Sequence, residues 1–135
     1  MNPILKNILA VVVGLVVGGA ANMGLIMIGE SVIVPPEGAD ATTMEGLAAI
    51  MHLFEPKHFL FPFLAHAVGT LVGAYIAAMN AASNKMTFAI AIGAFFLIGG
   101  ISMVIMLPSP LWFTATDLIL AYLPMAWIGG KLATR

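Results

Sequence analysis

Cysteine is absent, which excludes disulfides, thiolate metal centres, cysteine nucleophiles and cysteine-ligated iron–sulfur clusters together. Charge is almost as scarce. Five basic and six acidic side chains make up 8% of 135 residues, where a soluble domain carries roughly a quarter. So few charges cannot cover a water-soluble globule of 14.1 kDa. Nor is there an excess of either sign: the net charge is −1 and the pI about 6.2, so nucleic acid is not an expected partner. No Gly-x-Ser-x-Gly elbow occurs and no serine has an obvious base, which disfavours a nucleophilic hydrolase.

What remains is apolar. Hydrophobic residues make up 61% of the chain and the mean hydropathy is +1.08, so the expected partner is the lipid bilayer. Four apolar runs stand out at about 7–29, 58–82, 86–107 and 111–130, each near the ~20 residues that cross a hydrocarbon core. They are continuous rather than alternating, which argues against a barrel and leaves the helix as the spanning structure. The fold class predicted is an all-α membrane protein, a single domain over 1–135, with four transmembrane helices in an up-down bundle. The first run follows Lys6 as a signal peptide would, but its length and the Glu30 behind it favour a retained helix.

Lys6, Lys85, Lys131 and Arg135 flank one set of helix ends, and only Lys57 lies at the other. The positive-inside rule then puts both termini in the cytoplasm, in a bacterial inner membrane on the simplest reading. Loop 30–57 is consequently external. Within it, Val34-Pro35-Pro36-Glu37-Gly38 is a turn or extended element. Thr42 with Glu45 reads as a capping box, and Leu47, Ile50, Met51 and Phe54 follow at helical spacing. A short amphipathic helix on the outer surface is therefore expected, ended by Pro56. The two halves also look weakly alike, with Gly14, Gly18 and Gly19 echoed by Gly93, Gly99 and Gly100, although shared hydrophobic bias gives the same appearance.

Polar residues inside the spans carry the functional signal, because an ionisable group in hydrocarbon costs at least ~2.5–3.5 kcal/mol on insertion scales. Asn22, His66, Ser102 and Asp117 fall one to each helix. Each lies six to eight residues from its outer helix end, a common depth of about 10 Å. One reading is a binding site of His66 and Asp117, with Asn22 and Ser102 completing the shell, where imidazole beside carboxylate forms a proton relay. The other is that the pair is interhelical glue, and that Ser102 returns its hydroxyl to a carbonyl one turn back. A second cluster, His52, Glu55 and His58 above His66, has the donor types of a divalent-metal site, though Pro56 interrupts the helical spacing. A wetted loop with an interfacial histidine explains it better, and no other cofactor is indicated.

Gly14-x-x-x-Gly18 and Gly69-x-x-x-Gly73 read as close-packing faces, within one protomer or between protomers. Trp112, Trp127, Tyr75 and Tyr122 lie near helix ends or on helix faces, where interfacial anchoring accounts for the tryptophans. The ten methionines read as apolar filler. Two small four-helix families fail on their motifs. Fluoride channels need a Thr-Thr-Phe-Ser-Thr-like break where this chain has Leu97-Ile98-Gly99-Gly100-Ile101-Ser102. Small multidrug transporters need an embedded glutamate in the first helix, which here has only Asn22 before Glu30. Three functions stay open: a proton- or ion-linked transporter or channel; a non-catalytic subunit or self-assembling scaffold, as a homo-oligomer or in a larger complex; and a metal-binding membrane enzyme.

Overall fold

In the computed structural model, which describes residues 1–135, the first helix begins at a side-chain cap. Asn2 Oδ1 accepts the Ile4 N–H at 2.8 Å, and Pro3 takes the first helical position, where its missing N–H costs nothing. The helix α1 therefore runs Pro3–Val32, past both ends of the apolar run. The chain then passes through the extended Val34-Pro35-Pro36 segment to α2, Met44–Ile50, which tightens into a 3₁₀ turn at Met51–Leu53. A second 3₁₀ turn, Pro56–Phe59, leads into α3, Leu60–Asn80, and α4 spans Lys85–Met106. The last apolar run forms two helices, α5 Leu111–Leu120 and α6 Leu123–Ala133.

The chain is all-helical. Pro3–Val32, Pro56–Asn80, Lys85–Met106 and the two-piece Leu111–Ala133 are each long and apolar enough to cross a membrane. Their outer faces agree: Val16 is 66% exposed, Ile98 65% and Ile119 66%, a surface that belongs in hydrocarbon rather than water. The bundle has a termini end, with Lys6, Lys85 and Arg135, and a loop end, with residues 33–59 and 107–110.

Two sequence readings are corrected. The cap of α2 lies one residue later than Thr42: Thr43 Oγ1 accepts the Gly46 N–H at 3.0 Å, because Thr42 is already bound to the Asp40 carboxylate through its hydroxyl at 2.6 Å and its N–H at 3.0 Å. The fourth span, expected to be continuous, breaks at Ala121-Tyr122. Pro124 has no N–H for the Leu120 carbonyl, and its ring would collide there. Tyr122 consequently leaves helical geometry at φ −114° and ψ −80°, and α6 restarts with Pro124 in its first turn.

Helix α3 is the centre of the bundle, packed on α1, α4 and α6. Against α1 it presents glycine to glycine. A Cβ on Gly14 would stand 2.7 Å from the Gly73 carbonyl oxygen, and one on Gly18 would stand 2.7 Å from that of Gly69. Both glycine pairs thus serve packing inside one protomer. On the other side, a Cβ on Gly129 would meet the Leu71 carbonyl at 2.6 Å. The core here is small: Ala74, Ala77, Ala78, Ala89, Ile92 and Ala126 are fully buried. Toward the loop end the side chains grow. Met51, Phe59 and Leu107 form a cluster with Phe54, Met103 and Phe113, and the Phe59 and Phe113 rings lie 4.6 Å apart.

Candidate functional site

Where small residues give way to large ones, two helices and the break beyond one of them bring polar groups together. His66 is the seventh residue of α3 and Asp117 the seventh of α5; both helices run inward from the loop end, so the two side chains arrive at one level. His66 Nδ1 lies 2.8 Å from Asp117 Oδ1. One proton lies between them. Asp117 is 4% exposed, and its other oxygen, Oδ2, accepts the Tyr122 hydroxyl at 3.1 Å. The Tyr122 ring in turn stacks on the imidazole, with centroids 5.8 Å apart and planes 25° apart.

Tyr122 is the member of this cluster that reading the sequence missed. Five positions beyond Asp117, it would point about 140° away on a continuous helix, so its hydroxyl could not return to the carboxylate. The break at Ala121-Tyr122 turns it inward. Pro124 was the available signal, since proline within a helical pattern breaks or kinks it. A second condition is Gly100 on α4: a Cβ there would stand 2.5 Å from the Tyr122 hydroxyl oxygen. Only glycine leaves the phenol room to reach Asp117.

The triad meets two spaces. Toward the loop end lies a cavity of about 180 Å³ walled by Met51, Phe59, Phe61, Met103 and Phe113, with His66 and Asp117 its deepest residues on α3 and α5. Glu30, Lys57 and His58 line the same cavity nearer the loop. Toward the termini end is a smaller chamber of about 100 Å³ bordered by Asn22, His66, Thr70, Gly99 and Tyr122. His66 lines both.

Of the residues singled out by depth, Asn22 borders the inner chamber but makes no hydrogen bond to the His66–Asp117 pair. Ser102 is outside the site altogether. It is exposed on the outer face of α4 and donates to the Ile98 carbonyl at 3.0 Å. Counting from a helix end gives depth but not direction around the axis, and Ser102 has the right depth on the wrong face. The metal reading is corrected as well. No three His, Asp or Glu side chains converge, so His52, Glu55 and His58 do not form a donor set. Pro56 starts a new turn, in which His58 Nδ1 accepts the Glu55 N–H at 2.9 Å while Glu55 pairs with Lys57 at 3.3 Å.

Chemically, the arrangement is a buried carboxylate with both oxygens occupied, one by an imidazole that can change tautomer and the other by a phenol hydroxyl. It can hold, release and redirect a proton at a fixed depth. No protein-family model, curated protein or solved structure matches the chain, so this geometry carries the functional argument.

Proposed function

We propose that the protein is a small proton-linked membrane transporter, with the loop end facing outward and the termini in the cytoplasm. The observation behind it is the Asp117 carboxylate, joined to His66 and Tyr122 at the inner end of an apolar cavity. An ionisable group at membrane depth is retained for use more often than for structure. A cavity with aromatic and methionine walls and a few convergent polar groups is also the usual form of a small-molecule site. The solute is then small and largely apolar. It displaces cavity water, and proton uptake or release at the triad couples to its passage. Reconstituted protein in pyranine-loaded liposomes should acidify the lumen under an inward proton gradient. Asp117→Asn should abolish that flux while keeping the helical fold, because the amide still hydrogen-bonds. Flux equal to wild type in Asp117→Asn would sink the reading.

A second reading has its own observation. Helix α1 leaves most of its circumference uncovered, with only 11% of its apolar window buried, and association of copies through α1 would cover it. Disulfide trapping after Val12→Cys or Val16→Cys tests this: cross-linked dimers in membranes support a self-assembling protein, and their absence removes it.

A further inference from the structure

We propose that the chamber on the termini side of His66 is a second binding site, that its occupant is water held by Thr70, and that this water exchanges protons with the imidazole through Nε2. The last part rests on the proton-linked reading; the hydration does not.

Thr70 sits one turn below His66 on α3, is 1% exposed, and its Oγ1 has no hydrogen-bond partner in the protein. Leaving a buried hydroxyl unpaired costs about 1–3 kcal/mol. A ready escape exists, because a helical serine or threonine can bond the carbonyl four residues back. Ser31, Ser102, Thr116 and Thr134 all do so in this chain, at 3.3, 3.0, 2.7 and 2.9 Å. Thr70 does not. It keeps its hydroxyl free beside a chamber whose other polar borders are the Asn22 amide, the His66 ring and Tyr122.

The space suits water. A water needs roughly 10–15 Å³ of such volume and two to four polar partners, and the chamber has about 100 Å³. The imidazole spends Nδ1 on Asp117, so Nε2 is its remaining polar atom. A hydronium in the chamber would protonate Nε2 as the Nδ1 proton passes to Asp117 Oδ1. Hydronium becomes water, the carboxylate becomes a neutral acid, and the imidazole ends neutral as the other tautomer.

Thr70 borders only the inner chamber, so its hydration is not confused with that of the loop-end cavity. The test is water-edited solid-state NMR of the full chain in lipid bilayers, with labelled threonine, histidine and isoleucine. Thr70 signals should build up from water protons nearly as fast as those of the exposed Thr42, and far faster than those of buried Ile92. Thr70→Val should slow transfer to the His66 ring several-fold and lower liposomal proton flux with a changed pH profile, and Thr70→Ser should restore both. Thr70 polarising as slowly as Ile92 would overturn the proposal whatever the flux. If wild type conducts no protons yet Thr70 is wet, the proton-linked reading and the exchange step fall and the water site stands. If Thr70→Val conducts like wild type, the exchange step alone is overturned.

Discussion

The two halves of the bundle are built from different side chains. At the termini end, glycine and alanine let backbones approach until no room is left for a methyl group, as at Gly14 against Gly73. At the loop end, phenylalanine and methionine hold the helices apart around a cavity. In lipid there is little hydrophobic drive between helices, so close backbone contact is the main source of cohesion. A four-helix chain can therefore be clamped at one end and hollow at the other. The triad of His66, Asp117 and Tyr122 sits at the change-over, held by the clamp and open to the hollow.

The clamp should show the largest mutational effect. Gly73→Leu drives a side chain into the Gly14 carbonyl, 2.8 Å from where a Cβ would lie. Rigid backbone cannot yield as a side chain tip would, so the loss should exceed about 3 kcal/mol and leave little folded protein. Gly19→Leu is the control, since a Cβ there meets nothing within 4 Å; its stability should stay within about 0.5 kcal/mol. Detergent-resistant folding, followed by circular dichroism and size exclusion, measures both. Equal tolerance of the two substitutions would mean that α1 is not clamped on α3.

At the change-over the expected loss is intermediate. Asp117→Leu strips partners from His66 and Tyr122 at once, and each orphaned buried group costs about 1–3 kcal/mol. Asp117→Asn keeps an acceptor and a donor and should lose clearly less, which thermal unfolding in one detergent can rank. Comparable losses would show that hydrogen bonding at residue 117 contributes little to stability. Next below stands Gly100→Ala, whose methyl displaces the Tyr122 hydroxyl and removes one bond to Asp117, about 0.5–1.5 kcal/mol. Infrared difference spectra of the tyrosine C–O stretch should report that displacement even where unfolding does not.

Much of this organisation was legible in the residues, and the failures share a cause. Helix number follows from apolar length, and the glycine faces follow from spacing, because both are one-dimensional properties of a run. The direction a side chain takes around its helix is not. Ser102 matched His66 in depth yet faces away, while Tyr122 lay on what looked like an ordinary helical face until Pro124 broke the helix beneath it. Thr70 is hidden differently: a single hydroxyl in an apolar run carries no signal until its unpaired oxygen is seen. His52, Glu55 and His58 show the converse, since proximity in sequence across Pro56 does not become convergence in space.

The smallest effect belongs to the roof of the hollow half, where polar bonds rather than packing hold the chain. The Asp40 carboxylate accepts the Thr42 hydroxyl and N–H, while the Asp40 carbonyl accepts the Thr43 N–H at 3.3 Å just ahead of α2. The bond from the Thr42 hydroxyl, then that from its N–H, hold the Asp40 pKa below its ordinary 3.8. A carboxylate with a depressed folded value stabilises the turn above the ordinary pKa, and that contribution fades as pH falls through the lowered value. At neutral pH the turn is therefore fully formed, and acid should release it. Because Asp40 is fully exposed, water screens the effect and global stability should hardly move. The measurement is local: the Asp40 side-chain carbon should titrate below 3.8, with the Thr42 amide shift following it. Thr42→Ala keeps the N–H but removes the hydroxyl, so the Asp40 midpoint should return part of the way toward its ordinary value. An unchanged midpoint in Thr42→Ala would mean that the hydroxyl does not hold the turn, and that the roof is positioned by the Met51 and Phe59 packing beneath it.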